Sequence, residues 1–83
     1  MKYRLLVDFE VLDFALKLSA PKRHRLFYRF CEIQMFPGNF SDFVEADGEG
    51  RPLQVSLFDD FYIHYWIDDA DRHVKILHIT ENE

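Results

Sequence analysis

The residues best equipped for chemistry lie in the segment FYIHYWIDDADRHVKILHI, residues 61–79. It alternates and then turns, so it reads as a β-hairpin with strands at 61–67 and 72–79. With a four-residue loop, Ile67 lies opposite Arg72. Phe61, Ile63 and Tyr65 then share one face with Val74, Ile76 and His78. Tyr62, His64 and Trp66 share the other with His73, Lys75 and Leu77. Two imidazoles, a phenol and an ammonium on one face can move protons and offset negative charge, because imidazole titrates near neutrality. The candidate catalytic set is therefore Tyr62, His64, His73 and Lys75, with Arg51 as a second candidate cation. The same face can stack bases or serve as a partly wetted sheet surface.

A metal needs further ligands in fixed geometry around His64 and His73, which lie diagonally across the hairpin. The acidic turn at Asp68, Asp69 and Asp71 offers oxygen, and acidic turns are ordinarily solvated. The Asp47–Gly50 turn lacks the alternating oxygen ligands and closing Glu of a calcium loop. No metal and no cofactor is expected.

A second candidate site is basic. Lys22, Arg25 and Arg29 recur at helical spacing with Glu32, forming a stripe suited either to solvent or to an acidic partner segment. Charge is unevenly placed. Residues 1–36 hold seven Lys/Arg against four Asp/Glu, and residues 37–83 hold three against eleven. With a net charge of −5, the chain is a poor general nucleic-acid binder, since each phosphate contact needs a cation.

The elements that position these residues follow from periodicity. Residues 2–8 form a first strand. Residues 10–18 place Val11, Phe14, Ala15 and Leu18 on one helical face, with Asp8 as N-cap. Pro21 suits the first position of a second helix running to about Met35, with Leu26, Phe27, Phe30, Cys31 and Ile33 as its apolar face. Phe36-Pro37-Gly38-Asn39 ends the helical half. Strands follow at 40–46 and 51–58, joined by the turn Asp47-Gly48-Glu49-Gly50, with a second turn at Asp59-Asp60. Leu53, Val55 and Leu57 alternate with Gln54 and Ser56, and the latter two are placed beside the imidazoles. One strand, two helices and an antiparallel meander make an α+β domain over residues 1–83, with the helical hairpin on one face of the sheet. The single cysteine, Cys31, reads as a small buried apolar residue. The start of the chain resembles neither a signal peptide nor a membrane span, so the expected location is cytoplasmic, without a membrane.

YRLLVD at the start, the helical hairpin with Pro21, DGEGRPLQV and FYIHYWIDDADRHVKILHI together resemble the RelE/ParE superfamily of bacterial type II toxin–antitoxin systems. The last run mirrors that family's Tyr-Arg-x-x-Tyr-x-x-Asp strand. The resemblance implies a β-α-α-β-β-β(-β) fold and an antitoxin protein as partner. It also implies ribosome-bound mRNA or DNA gyrase as target, depending on the branch, and leaves a homodimer open. It further implies a basic cluster for RNA cleavage, which this sequence does not carry. Tyr62 stands where the family has Arg, the preceding strand offers Gln54 and Ser56 for lysines, and the chain ends in Thr80, Glu81, Asn82 and Glu83. The expectation is a toxin or toxin-related protein whose ribonuclease activity is in question. The alternative is a non-enzymatic interaction module of the same fold.

Overall fold

The computed structural model describes residues 2–81. Strand β1 (Arg4–Val7) leads into helix α1 (Phe9–Leu16) and helix α2 (Ala20–Met35). A 3₁₀ turn at Pro37–Asn39 follows, and then β2 (Phe43–Ala46), β3 (Pro52–Phe58), β4 (Phe61–Asp68) and β5 (His73–Glu81). The strands form one sheet in the order β1-β5-β4-β3-β2. Among the described strands only β1 and β5 pair in parallel: the helical hairpin carries the chain from β1 at one edge to β2 at the other, and the antiparallel meander returns it to β5 beside β1. The α+β expectation, with both helices on one face of a mostly antiparallel sheet, holds.

Local chemistry accounts for the helix starts. The extended Asp8 caps α1 and its carboxylate accepts from the Glu10 N–H at 3.1 Å. Ser19 precedes α2, which begins at Ala20, so Pro21 sits at the second helical position, where no intrahelical N–H bond is lost. Val11 and Ala15 of α1 and Leu26, Phe30 and Ile33 of α2 bury the helical stripes against Phe61, Ile63, Tyr65, Val74 and Ile76. Cys31 falls outside this stripe and is exposed, contrary to the expectation of a buried thiol. The stripe runs through positions 26, 30 and 33, and a residue directly after Phe30 turns about 100° away from it.

The hairpin register corrects the expected one. Ile67 pairs with Val74 and Asp68 with His73, so the four-residue loop is residues 69–72. This shift of two positions preserves the faces of Tyr65, Ile67, Val74 and Ile76. A bulge then intervenes. Tyr65 pairs with Ile76, but His64 pairs with His78, leaving Leu77 extra. His78 therefore joins the face of His64 instead of the core face, and Ile79 takes the place opposite Ile63.

The larger correction concerns β3. Ser56 pairs with Ile63 and Gln54 with Tyr65, whereas Val55 pairs with His64 and Leu57 with Tyr62. Directly paired residues share a face. Gln54 and Ser56 thus lie on the helix side, and Leu53, Val55 and Leu57 lie beside the imidazoles. Arg29 makes this possible. Its guanidinium sits between the rings of Phe40 and Phe58, at 4.8 and 4.7 Å, and donates to the buried Ser56 hydroxyl at 3.4 Å. A polar residue in that layer is thereby satisfied.

Candidate functional site

The helix-free face of the sheet is not a plain wet surface. Val55 is fully buried there, and Leu53 and His64 are each only 9% exposed. Tyr62, His64, Lys75 and His73 all lie on this face, as expected, but the register divides them between its two ends. His64 and Asp68 are four positions apart on β4, and Asp68 pairs with His73. At about 3.3 Å per residue the two imidazoles are separated by about 13 Å along the strand. His64 and His73 are therefore not the near diagonal neighbours that the sequence predicts.

His64 instead meets residues that sequence reasoning did not select. Its Nδ1 lies 2.7 Å from Oε1 of Glu45 on β2, and its Nε2 lies 3.1 Å from Oγ1 of Thr80 on β5. The His78 ring stands 5.3 Å away, centroid to centroid. Tyr62 pairs with Thr80 and packs edge-on against Phe43 at 6.2 Å. A carboxylate, an imidazole and a hydroxyl in one hydrogen-bonded chain are the parts of a general acid–base relay. With Nδ1–H donating to Glu45, Nε2 accepts the Thr80 O–H, and the neutral tautomer is fully satisfied. Among the described residues, none of the hydrogen bonds or ion pairs of His64, Glu45 or Thr80 involves Lys or Arg.

The other end carries the cations. Trp66 is flanked by the Arg51 guanidinium at 5.0 Å and the Lys75 ammonium at 4.8 Å. Both are also held by acids. Lys75 lies 3.7 Å from Asp68, and Arg51 lies 2.6 Å from Asp47 and 3.5 Å from Glu49. Burial works to raise the Asp47 carboxyl, but hydrogen bonds from the Arg51 side chain and from the Arg51 and Glu49 backbone outweigh it and hold it below its ordinary value. The same bond raises the Arg51 guanidinium. Asp68, Asp71 and His73 bring one donor atom each within 4.8 Å of one another, a grouping a cation can share, though Lys75 already competes for Asp68.

The basic stripe of α2 is also divided. Lys22 is exposed. Arg25 bridges to Asp59 in the β3–β4 turn at 3.0 Å. Arg29 points inward and pairs with Glu32 at 3.1 Å. Exposed apolar side chains occur both in the helical segment and on the β2 side of the sheet. Phe9, Leu16, Tyr28, Met35 and Phe36 stand out from the helical segment, and Phe43, Val44 and Leu57 from the β2 side of the sheet. No described helix is long and apolar enough to cross a membrane.

Three solved structures share this fold over nearly the whole chain. The RelE chain of the archaeal RelE–RelB complex from Pyrococcus horikoshii superposes with a TM-score of 0.83 at 19% identity, covering 99% of this chain and 97% of that one. The toxin–antitoxin complex RelBE2 from Mycobacterium tuberculosis gives 0.80 at 15% identity, with 98% and 92% covered. The intact E. coli RelBE toxin–antitoxin complex gives 0.69 at 17%, with 98% of each chain covered. No protein-family model matches the sequence, and no curated protein matches it either. The fold is RelE-like, as the sequence resemblance implies.

Proposed function

We propose that this chain is the toxin, or a toxin-related, component of a type II toxin–antitoxin pair and binds a cognate antitoxin protein. The observation that carries this reading is the superposition of nearly the entire chain on proteins solved in toxin–antitoxin complexes. The exposed apolar side chains of the helical segment, of which Tyr28 adjoins Arg25, provide area, and Lys22 and Arg25 positive charge, for a partner segment. Expression of the chain in a bacterium should arrest growth, and co-expression of the small protein encoded beside it should relieve the arrest and co-purify with it. Unimpaired growth together with failure to co-purify would remove the proposal.

A second reading is favoured by the Glu45–His64–Thr80 chain. In it the helix-free face retains acid–base capacity toward RNA, with Tyr62 and His78 bordering it, while His73 and Lys75 lie too far along the strand to join the same step. Cleavage of ribosome-bound mRNA by wild type, compared with His64→Ala, tests this reading. Equal rates would remove His64 from the step, and no cleavage by wild type would assign the chain a binding role only.

A further inference from the structure

A cleft of about 360 Å³ opens where β1 meets the β4–β5 turn, lined by Lys2, Arg4, Asp71, Arg72 and His73. Its residues belong neither to the His64 relay nor to the stripe on α2. Arg4 and His73 are register partners across the parallel β1–β5 pair, which fixes their spacing. The Arg4 N–H donates to the Arg72 carbonyl at 2.8 Å, which ties the turn to the strand. Arg72 has φ of 56°, a left-handed conformation that few non-glycine residues adopt. Its guanidinium lies over the Tyr3 ring at 5.5 Å and its Nη1 donates to the Tyr3 hydroxyl at 3.5 Å.

The local charge balance distinguishes this cleft. Lys17, Arg25, Arg29, Arg51 and Lys75 are each in an ion pair with a carboxylate. Among the described residues, Lys2, Arg4, Lys22, Arg23 and Arg72 are in no ion pair, and three of these five, Lys2, Arg4 and Arg72, line this one cleft. Two of the three turn acids are engaged elsewhere. Asp69 accepts from the Tyr3 hydroxyl at 2.6 Å, and Asp68 lies 3.7 Å from Lys75. Asp71 is the acid that remains at the cleft wall. Nδ1 of His73 is buried there without a hydrogen-bond partner.

We propose that this cleft binds a phosphate group. Three cations around one space leave more positive charge than Asp71 can offset. Two of them are guanidinium forks, whose planar donors match phosphate oxygens. A single carboxylate from a ligand would repeat what Asp71 already supplies, whereas a phosphate brings more charge and acceptor oxygens on several sides. The phosphate can belong to a free anion or to a polynucleotide backbone. The proposal does not rest on the toxin reading.

Titration of the ¹⁵N-labelled full chain with pyrophosphate, at low ionic strength, tests it. The expected result is saturable shifts at the Arg4, Arg72 and His73 amides. Arg4→Gln and Arg72→Gly should each weaken binding about tenfold, the loss of one charge-assisted contact. Glycine suits the left-handed backbone, so Arg72→Gly removes the cation without straining the turn. Lys17→Gln, just after α1, should bind as wild type. A hexanucleotide of 2′-O-methyl RNA identifies the source. Tighter binding than pyrophosphate through the same amides indicates a polynucleotide, and equal or weaker binding indicates a free anion. The proposal is overturned if neither probe shifts these amides, if both arginine variants bind as wild type, or if an aspartate-rich peptide binds there more tightly than either phosphate probe.

Discussion

Replacing Arg29 by alanine separates the two roles that the basic stripe can play. If Arg29 faced a partner, its loss would leave the free protein intact. The structure places its side chain only 21% exposed, between two rings, with Glu32 and Ser56 as polar partners. Two partly desolvated cation–π contacts contribute about 0.5–1 kcal/mol each. The i,i+3 pair with Glu32 adds about 0.2–0.5 kcal/mol. The buried Ser56 hydroxyl, deprived of its donor, costs about 1 kcal/mol more. Because these overlap, Arg29→Ala should lower stability by about 2–3 kcal/mol. With a urea slope near 1 kcal/mol/M, the midpoint falls by about 2–3 M. Arg29→Lys keeps the charge but neither the fork nor the stacking, and should recover less than half of that loss. Lys22→Ala, at an exposed position, should stay within about 0.5 kcal/mol of wild type. Urea unfolding followed by Trp66 fluorescence reads all three. An Arg29→Ala midpoint equal to wild type, accompanied by weaker antitoxin binding, would refute the structural role and restore the docking one.

Tyr65→Phe should cost about 1–2 kcal/mol in the same assay, because its buried hydroxyl donates to the Pro37 carbonyl at 2.6 Å and that acceptor is left unpaired. Burial, followed by the charge of Asp42, pushes the Tyr65 phenol up to about 12 against a countering effect of Arg29. Both states are protonated below pH 10. Between about pH 10 and 12 the unfolded chain ionises first, so stability falls with pH, and the variant should show a shallower decline over that window. Val55→Ala should cost about 1–3 kcal/mol although no helix covers that face, since Val55 is fully buried there and two methyl groups' worth of burial would be lost. A cost below about 0.5 kcal/mol would mean that this face is solvated.

The layers of the fold were legible in the sequence because helical and strand periods differ, and because Phe61, Ile63, Tyr65, Val74 and Ile76 repeat at a period of two. The four-residue length of the last loop was legible but its register was not, and a register error of two positions preserves side-chain faces. Parity was the weak point. Leu53, Val55 and Leu57 look like a core-facing strand, and only Arg29 from a distant helix explains why Ser56 faces the helices instead. Nothing local announces the bulge that brings His78 to His64, since a bulge depends on both strands at once. Glu45 was missed for the same reason. Its strand has four exposed residues and no apolar face to fix its register. The separation of His64 from His73 follows from the register shift at the β4–β5 turn, which sets His73 opposite Asp68 instead of Trp66.

On the reading that this face acts on RNA, the relay around His64 would supply proton transfer and the cations near Trp66 charge stabilisation, and the sheet keeps the two apart. The relay suits both protonation states. Neutral His64 donates to Glu45 and accepts from Thr80, and protonated His64 donates to both once the hydroxyl turns. On that reading proton transfer is provided for, while among the described residues no Lys or Arg bonds to His64, Glu45 or Thr80 to meet charge developing on a phosphate there. One lost stabilising donor ordinarily costs 10²- to 10³-fold in rate, about 3–4 kcal/mol. Tyr62 lies on the same face, two positions, or about 7 Å, from His64 and opposite Thr80. Its ring packs against Phe43 at a partly exposed site, so a longer cation can replace it without opening the core. Tyr62→Arg should then raise cleavage of ribosome-bound mRNA at least tenfold over wild type, and Tyr62→Arg combined with His64→Ala should lose that gain. A Tyr62→Arg variant that folds as wild type, binds the antitoxin and cuts no faster would show that a missing cation is not what limits this face.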